Sequence, residues 1–387
     1  MGEQVRSPKI VMTLMVRDEA DIVAAMIEHH LAQGIDLIIV TDNGSVDGTR
    51  EILARYEETG RVEVHDYLQH DKNQTMVVSQ MASRAKTVHD ADWVINADAD
   101  EFFVARDPEL SVRDALAHVD PAIGSFLAPV KNMSGVPSHT VADLTTFVWR
   151  DERAEETLME TSALHAHPSA DAIHVGAADV LVQQGNHGVS IPSLGEPDDA
   201  YAIDVLHVPW RSYAQYSTKV VNTGRSYDAN PTLNPSPKHH GMRDYRFWKA
   251  GLLEPVYLVR HPVGPNPEGF VFDARLRESL TALREGGALL PDDFLRTVSG
   301  DSDPYSEEDV TGARPIADIV IRLEMEHLEA STHWRDLYRS EARRARLAEE
   351  QARENAELLA VMRARPEARV RRAAGGVLRR LRVLRRP

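Results

Sequence analysis

At 387 residues and 42% hydrophobic content, the chain is long enough to bury one large core or two smaller ones. It holds no cysteine, which excludes disulfides and thiolate metal centres and favours a reducing compartment. The net charge of −16 argues against a nucleic-acid groove as the main function, but residues 363–387 carry ten arginines against the single Glu367, so this tail is +9 and the rest about −25.

Met1 to Lys9 lack the apolar stretch of a signal peptide, and no run is long enough to span a bilayer, so a cytoplasmic protein is expected. Residues 9–16 form an apolar run of strand length. Asp18 is placed to cap a helix over about 19–33, whose apolar residues Ile22, Ala25, Met26 and Leu31 recur at helical spacing before Gly34 stops it. A second strand, 36–40, runs into the polar loop Thr41–Thr49 and a helix over about 49–58. A third strand near 62–67, a helix over about 72–89 and a fourth strand over 92–97 follow. Four alternations of strand and helix predict a mostly parallel sheet with helices on its faces, whose ligands bind beyond the carboxyl ends of the strands.

Those ends carry chemistry. Arg17–Glu19, Asp42–Asp47 and Asp98–Glu101 should converge on one crevice. If the fourth strand stays extended, Asp98 and Asp100 share a side and can approach one hard cation such as Mg²⁺ or Mn²⁺; the rival is a polar strand end followed by a turn. The first strand is not followed by Gly-x-Gly-x-x-Gly, and no Gly-x-x-x-x-Gly-Lys-Ser/Thr occurs, which disfavours dinucleotide and P-loop sites. What remains is a nucleoside-diphosphate crevice neutralised by a divalent ion.

Further strands are expected at 124–130, 144–149, 179–183 and 201–208. His165 and His167 could bind zinc, but the missing partners and the polar surroundings favour a solvated loop over 150–175. His187, between Gly185 and Gly188, is a functional candidate or a turn residue. Arg211 and Lys219, eight residues apart on an expected helix over 211–224, can face a diphosphate together or form an ordinary solvated face. Residues 228–241 could be a lid, and Arg243, Tyr245 and Trp248 could stack on a sugar or belong to the core. Residues 299–312 are polar and acidic, an expected linker. From Pro315 to about Arg365 no helix breaker occurs, and a helix of about 50 residues would be about 75 Å long. Ala345, Ala348, Ala352, Asn355, Leu359 and Met362 make a thin 3-4 seam suited to a weak coiled coil and a homodimer. After Pro366, an apolar face opposite arginines suits an anionic membrane surface; a nucleic-acid arm and a disordered tail are the rivals.

Val16-Arg17-Asp18-Glu19-Ala20-Asp21, Asp42-Asn43-Gly44-Ser45-Val46-Asp47-Gly48-Thr49 and Asp98-Ala99-Asp100-Glu101-Phe102 resemble the three signatures of family-2-like glycosyltransferases, in the Asp-x-Asp-Glu-Phe branch. Gly185-Asn186-His187 and His207-Val208-Pro209-Trp210-Arg211-Ser212 extend the likeness to roughly residues 9–250. The resemblance implies an α/β fold of the GT-A, Rossmann-like kind, with a glycosyltransferase domain over 1–270, its nucleotide-sugar half about 9–105 and its acceptor half about 106–270. A helical segment and linker over 271–312, a long helix over 313–365 and a basic amphipathic tail over 366–387 would follow.

It further implies that Asp42 bonds the base, Arg17 and Glu19 help hold the nucleoside, Asp98 meets the ribose or a metal-bound water, and Asp100 ligates Mn²⁺ or Mg²⁺ with His207 as third ligand. Asp47, Arg211 and Lys219 complete the nucleotide-sugar contacts. Asp18 stands where the family usually has asparagine, so an amide donor is lost there. Inversion by single displacement needs one base, for which His187 is the candidate and Glu196, Asp198 and Asp199 the alternates. The implied partners are a nucleotide sugar and a glycan or lipid-linked glycan, at the inner face of the plasma membrane and without nucleic acid. A sugar nucleotidyltransferase would want a glycine-rich basic loop after the first strand, and a non-catalytic envelope scaffold would not need the carboxylates.

Overall fold

A computed structural model describes residues 7–69, 74–228, 239–298, 301–330 and 353. The chain divides into a unit of Met1–Glu324 and a second of Met325–Pro387, in which the described residues 325–330 and 353 are helical.

The first unit begins as the alternation predicts. Strands β1 (Ile10–Val16), β2 (Leu37–Asp42), β3 (Val62–Asp66) and β4 (Trp93–Ala97) are linked by helices α1 (Val23–Ala32), α2 (Thr49–Glu58) and α3 (Gln74–Thr87). They pair in parallel in the order β3-β2-β1-β4. Six of the seven β1 residues are buried, because α-helices cover both sides of a parallel sheet and such a strand carries no polar face. Val16 lies opposite Asp42, and Asp42 opposite Asp66, so the strands end at one edge. The chain runs outward from β1 to β3 and then returns to β4 on the other side of β1. That reversal opens a crevice between the two strand ends.

β5 (Glu101–Ala105), α4 (Val112–Ala117), β6 (Ser125–Ala128), β7 (Val130–Ser134), β8 (Trp149–Asp151), α5 (Glu155–Ser162), β9 (Asp171–Val175) and β10 (Ile203–His207) follow. β9 and β6 extend the first sheet beside β4, with β9 antiparallel to both. The second sheet runs β11-β8-β7-β10-β5, completed by β11 (Phe270–Phe272) after helices α6 (Tyr213–Asp228), α7 (His240–Lys249) and α8 (Leu253–Leu258). α9 (Arg275–Ala282) and α10 (Pro291–Val298) pack against α1, and α11 begins at 307 and runs to 324 within this unit. The mixed, partly parallel α/β architecture is the expected one.

Several local expectations change. Asp18 does not cap α1: it takes a left-handed φ of 56°, and the helix starts at Val23 with no side-chain cap. The run 124–130 is two strands in two sheets, divided at Pro129, which has no N–H for a ladder. Leu144–Thr146 is a single 3₁₀ turn ahead of β8, and 179–183 contributes only an isolated bridge between Val182 and Val189. The expected solvated loop over 150–175 is instead the end of β8, α5 and β9, with His174 buried in the sheet and its imidazole pushed down to about 4 by burial. Of its other histidines, His167 places Nε2 at 2.7 Å from the Arg153 carbonyl and His165 lies 3.9 Å from Glu324.

The expected linker is attached to the body. Asp303 accepts from the backbone N–H of Thr140 and Val141, each at 2.9 Å, and Tyr305 N donates to the Pro137 carbonyl at 2.9 Å. Arg243 and Tyr245 belong to the core, while the Trp248 ring stacks on Tyr245. The coiled-coil seam, the lid segment 229–238 and the basic tail lie outside the described residues.

Candidate active site

The two loops that follow β1 and β2 are laced together by their polar side chains. Asp18 N donates to Ser45 Oγ at 3.0 Å, Glu19 N to Thr49 Oγ1 at 2.9 Å, and Ala20 N to Asp47 Oδ2 at 2.9 Å. In return Val46 N donates to Asp18 Oδ1 at 2.8 Å. Asp42 is buried beneath this lacing, where its carboxylate accepts from the Gly44 and Ser45 N–H groups, both at 3.1 Å. Asp42 and Asp47 therefore shape the loop, and the cavity wall is made by their neighbours Asn43, Val46 and Asp47 together with Tyr67 and Gln69.

β4 ends at Ala97, and the chain turns at once. Asp98 N donates to Glu101 Oε2 at 2.8 Å and Glu101 N to the Asp98 carbonyl at 3.2 Å. Of the two readings of this stretch, the structure has the strand end followed by a turn, and the turn keeps the two aspartates in one place. Both line the same cavity of 710 Å³. Asp98 is raised to about 6, first by burial and then by the Asp100 carboxylate beside it. Burial acts on Asp100 in the same direction, but Lys219 and His207 hold it well below the usual carboxylate range.

Three groups approach Asp100 Oδ2. Lys219 Nζ stands at 2.6 Å, His207 Nε2 at 3.6 Å and Arg211 Nη1 at 3.6 Å. His207 ends β10, and its Nδ1 is 2.9 Å from Asn132 Oδ1, the residue opposite it on β7. An amide oxygen can only accept, so Nδ1 carries a proton, and the ring turns its Nε2 edge toward Asp100. Arg211 precedes α6, contrary to its expected place on that helix, and is fully buried. Its guanidinium bonds Asp21 at 2.7 and 3.1 Å and Glu19 at 2.5 Å, so it neutralises the β1 loop from inside and is absent from the cavity wall. Lys219 does line the cavity, on a polar face of α6 shared with Thr218, Asn222 and Ser226.

A second cluster adjoins Asp98. Asn186 Nδ2 donates to Asp98 Oδ1 at 3.2 Å from a left-handed backbone with φ of 62°. The next residue, His187, places Nδ1 at 3.0 Å from Oδ1 of the fully buried Asp171 at the start of β9. That hydrogen bond holds the His187 imidazole above its ordinary range. A Cβ on Gly185 would lie 2.8 Å from His187 Nε2, so the bare glycine makes room for the ring. With Nδ1 fixed by a carboxylate, Nε2 is free to take a proton. Among the alternates, Asp199 bonds Arg106 at 2.8 Å and Asp198 caps a 3₁₀ turn; none of these, nor Glu196, nor His187 itself lines the cavity, and what sets His187 apart is its place next to Asn186, which bonds Asp98.

Arg17, Glu19, Asp47, Asp98, Asp100 and Lys219 are thus gathered around one cavity, with His207 behind Asp100. Sequence reading missed Asp171, Asn132 and Asp21. Asp171 and Asn132 meet their histidines through tertiary pairing, and no spacing announces them. Asp21 was within the first signature, and its pairing with a buried arginine 190 residues away left no local trace.

The model of glycosyltransferase family 92 matches residues 11–159. No curated protein matches the sequence. Among solved structures, TarS 1-349 of S. aureus is similar at 12% identity and a TM-score of 0.32, over 84% of this chain and 92% of that one. The same protein with UDP-GlcNAc gives 14% and 0.34 over the same shares. Glucosyl-3-phosphoglycerate synthase from Mycobacterium tuberculosis, in complex with Mn²⁺, UDP and glucosyl-3-phosphoglycerate, gives 17% and 0.23 over 43% of this chain and 57% of that one. With the family model spanning β1 to β8 and the crevice's carboxylates Glu19, Asp98 and Asp100 inside that span, the chain is a glycosyltransferase.

Proposed function

We propose that the chain moves a glycosyl unit from a nucleoside-diphosphate sugar, bound in the β1–β4 crevice, to a hydroxyl of a glycan or lipid-linked glycan, with inversion. The observation that carries this reading is the pair Asp98 and Asp100 set side by side against Lys219 in a cavity of 710 Å³, a size suited to a nucleotide sugar. TarS has been solved with UDP and with UDP-GlcNAc, and the mycobacterial synthase with UDP and Mn²⁺ or Mg²⁺, which makes a uridine nucleotide the first ligand to try. The family-2-like, Asp-x-Asp branch stays the favoured placement on the motifs at Arg17, Asp42 and Asp98.

Among the described residues no three His, Asp or Glu side chains are already drawn into a metal cage. The donor chemistry nevertheless fits a hard divalent ion. Among those residues Asp98 Oδ2 and Asp100 Oδ1 carry no hydrogen bond, Asp98 is raised by burial and then by its neighbour's charge, and His207 turns Nε2 toward Asp100. Mn²⁺ or Mg²⁺ held by Asp98, Asp100 and His207 would supply Lewis acidity to the departing diphosphate. Lys219 would add a positive charge to the leaving phosphate. Arg17 and Glu19, on the laced loop, would bracket the nucleoside.

On the acceptor side, His187 Nε2 would take the proton of the attacking hydroxyl while Asp171 stabilises the imidazolium that forms. The resemblance to family-2-like enzymes favours a single displacement, hence inversion, with one base on the acceptor side. The arginine-rich residues 366–387 suit an anionic cytoplasmic leaflet and so favour a lipid-linked acceptor; the seam at 345–362 suits a homodimer. Among the described residues no helix is long and apolar enough to cross a membrane.

The test is calorimetric titration of UDP, GDP and dTDP, with and without Mn²⁺, into wild type and Asp100→Ala. One nucleotide should bind in a metal-dependent way, about a hundredfold more weakly in the variant. Absence of binding by all three, or binding indifferent to Asp100, would overturn the reading.

A further inference from the structure

We infer that the Lys219 ammonium is a tethered counter-ion in the cation position of Asp100, so that a divalent ion enters the site together with the nucleoside diphosphate and binds poorly before it. This rests on the reading of Asp98 and Asp100 as the donor-site carboxylates. Asp100 Oδ2 is the point on which Lys219 Nζ at 2.6 Å, His207 Nε2 at 3.6 Å and Arg211 Nη1 at 3.6 Å converge. A divalent ion bound to a carboxylate oxygen lies about 2.0–2.2 Å from it. The ammonium at 2.6 Å occupies Oδ2 itself, and a divalent ion on either oxygen of the same carboxylate would stand a few ångströms from a like charge, so the ammonium lowers that ion's affinity until it moves away.

The two cations differ in their freedom to do so. Arg211 is fully buried and clasped by Glu19 and Asp21, and its Nη1 has no hydrogen-bond partner of its own. The Lys219 side chain is 44% exposed, stands on the cavity wall, and reaches Asp100 through a flexible four-carbon stem. Glu19 Oε1, at 4.0 Å from Nζ, offers a second resting place on the way to a bound phosphate. A diphosphate entering the cavity provides the negative charge that draws the ammonium from Asp100 and leaves that carboxylate open to the metal. Metal and nucleotide must then raise each other's affinity by the same factor.

The experiment measures Mn²⁺ binding to the full-length protein by the loss of the free-ion electron paramagnetic resonance signal, alone and with whichever of UDP, GDP or dTDP binds. Wild type should bind Mn²⁺ at least tenfold more tightly with the nucleotide than without it. Lys219→Gln should bind Mn²⁺ alone at least tenfold more tightly than wild type, with the nucleotide's effect correspondingly reduced. Lys219→Arg should stay near wild type. Wild type that binds Mn²⁺ equally well with and without nucleotide overturns the inference without recourse to any variant, as does a folded Lys219→Gln with no gain in Mn²⁺ affinity. Nucleotide binding with no Mn²⁺ uptake at all removes the metal part of the donor-site reading, and the inference with it; that result differs from both failures of the inference alone.

Discussion

Two clusters of buried charge meet helix α6 within one turn of each other, and they are built to different ends. In one, Asp244 accepts from Arg243 at 2.7 and 3.1 Å, from Arg260 at 3.0 and 3.2 Å, and from the Tyr216 hydroxyl. Every member is buried, and the aspartate is held far below its ordinary range by the two guanidinium groups, against the opposing effect of burial. In the other, at the cavity, Glu19, Asp21 and Asp100 are met among the described residues by Arg211, Lys219 and His207, and Asp98 is raised to about 6 by burial and then by the Asp100 carboxylate. A closed network that satisfies its carboxylate fixes a helix; an open one whose carboxylates crowd each other is prepared to receive a cation. The same helix is held by Tyr216 and, three residues on, presents Lys219 to the cavity.

The sharpest way to separate the two is to remove one carboxylate from each. Asp100→Ala should lower kcat/KM about 10³-fold, as expected when charge stabilisation of a leaving group is lost, while its urea midpoint stays close to wild type. Asp244→Ala should act on stability, by about 3–5 kcal/mol in urea denaturation, because two buried guanidinium groups lose their partner. Asp244 has a depressed pKa, so its contribution is present above about pH 4 and fades as pH falls below that. The stability gap between wild type and variant should narrow in the same window. If Asp100→Ala is the variant that unfolds and Asp244→Ala the one that is inactive but stable, the contrast is wrong.

His187→Ala should reduce kcat about 10²-fold, as for loss of a general base. Since Asp171 raises the imidazole, activity in wild type should be lost below a pH that lies above the ordinary histidine range, and Asp171→Asn should move that acid limb downward. An acid limb that ignores Asp171 would remove His187 from the proton transfer. The smallest change is expected of Asn132→Ala, which frees the His207 tautomer and should weaken Mn²⁺ binding about tenfold in the presence of nucleotide.

The parallel half of the fold was legible because β1, β2 and β4 are continuous apolar runs that end in abrupt polar clusters. Where a strand is short or its cover lies far away in the chain, pattern reading failed. β8 has three residues and β9 follows a stretch rich in histidine, and both are strands only because a neighbouring strand supplies hydrogen bonds. In the site, residues at strand ends were found, since topology alone places them. Those that orient them were not: Asn132 reaches His207 by register and Asp171 reaches His187 across a loop. Arg211 was found for a different reason than the one it serves, as a cation buried under the loop in place of one offered to phosphate.

The attachment of Asp303 and Tyr305 to the 137–141 backbone bears on how the protein can be trimmed. A protease or a gene design that treats 299–312 as a spacer and cuts there would strip away the strand-like clip and the bond from Tyr305 to Glu254. It would also uncover the apolar residues beneath α11, where Val310, Ala313, Ala317, Val320 and Ile321 are buried. A fragment that keeps the enzyme body intact should therefore extend at least to Glu324, and one ended at 298 should show a lower urea midpoint than one ended at 324.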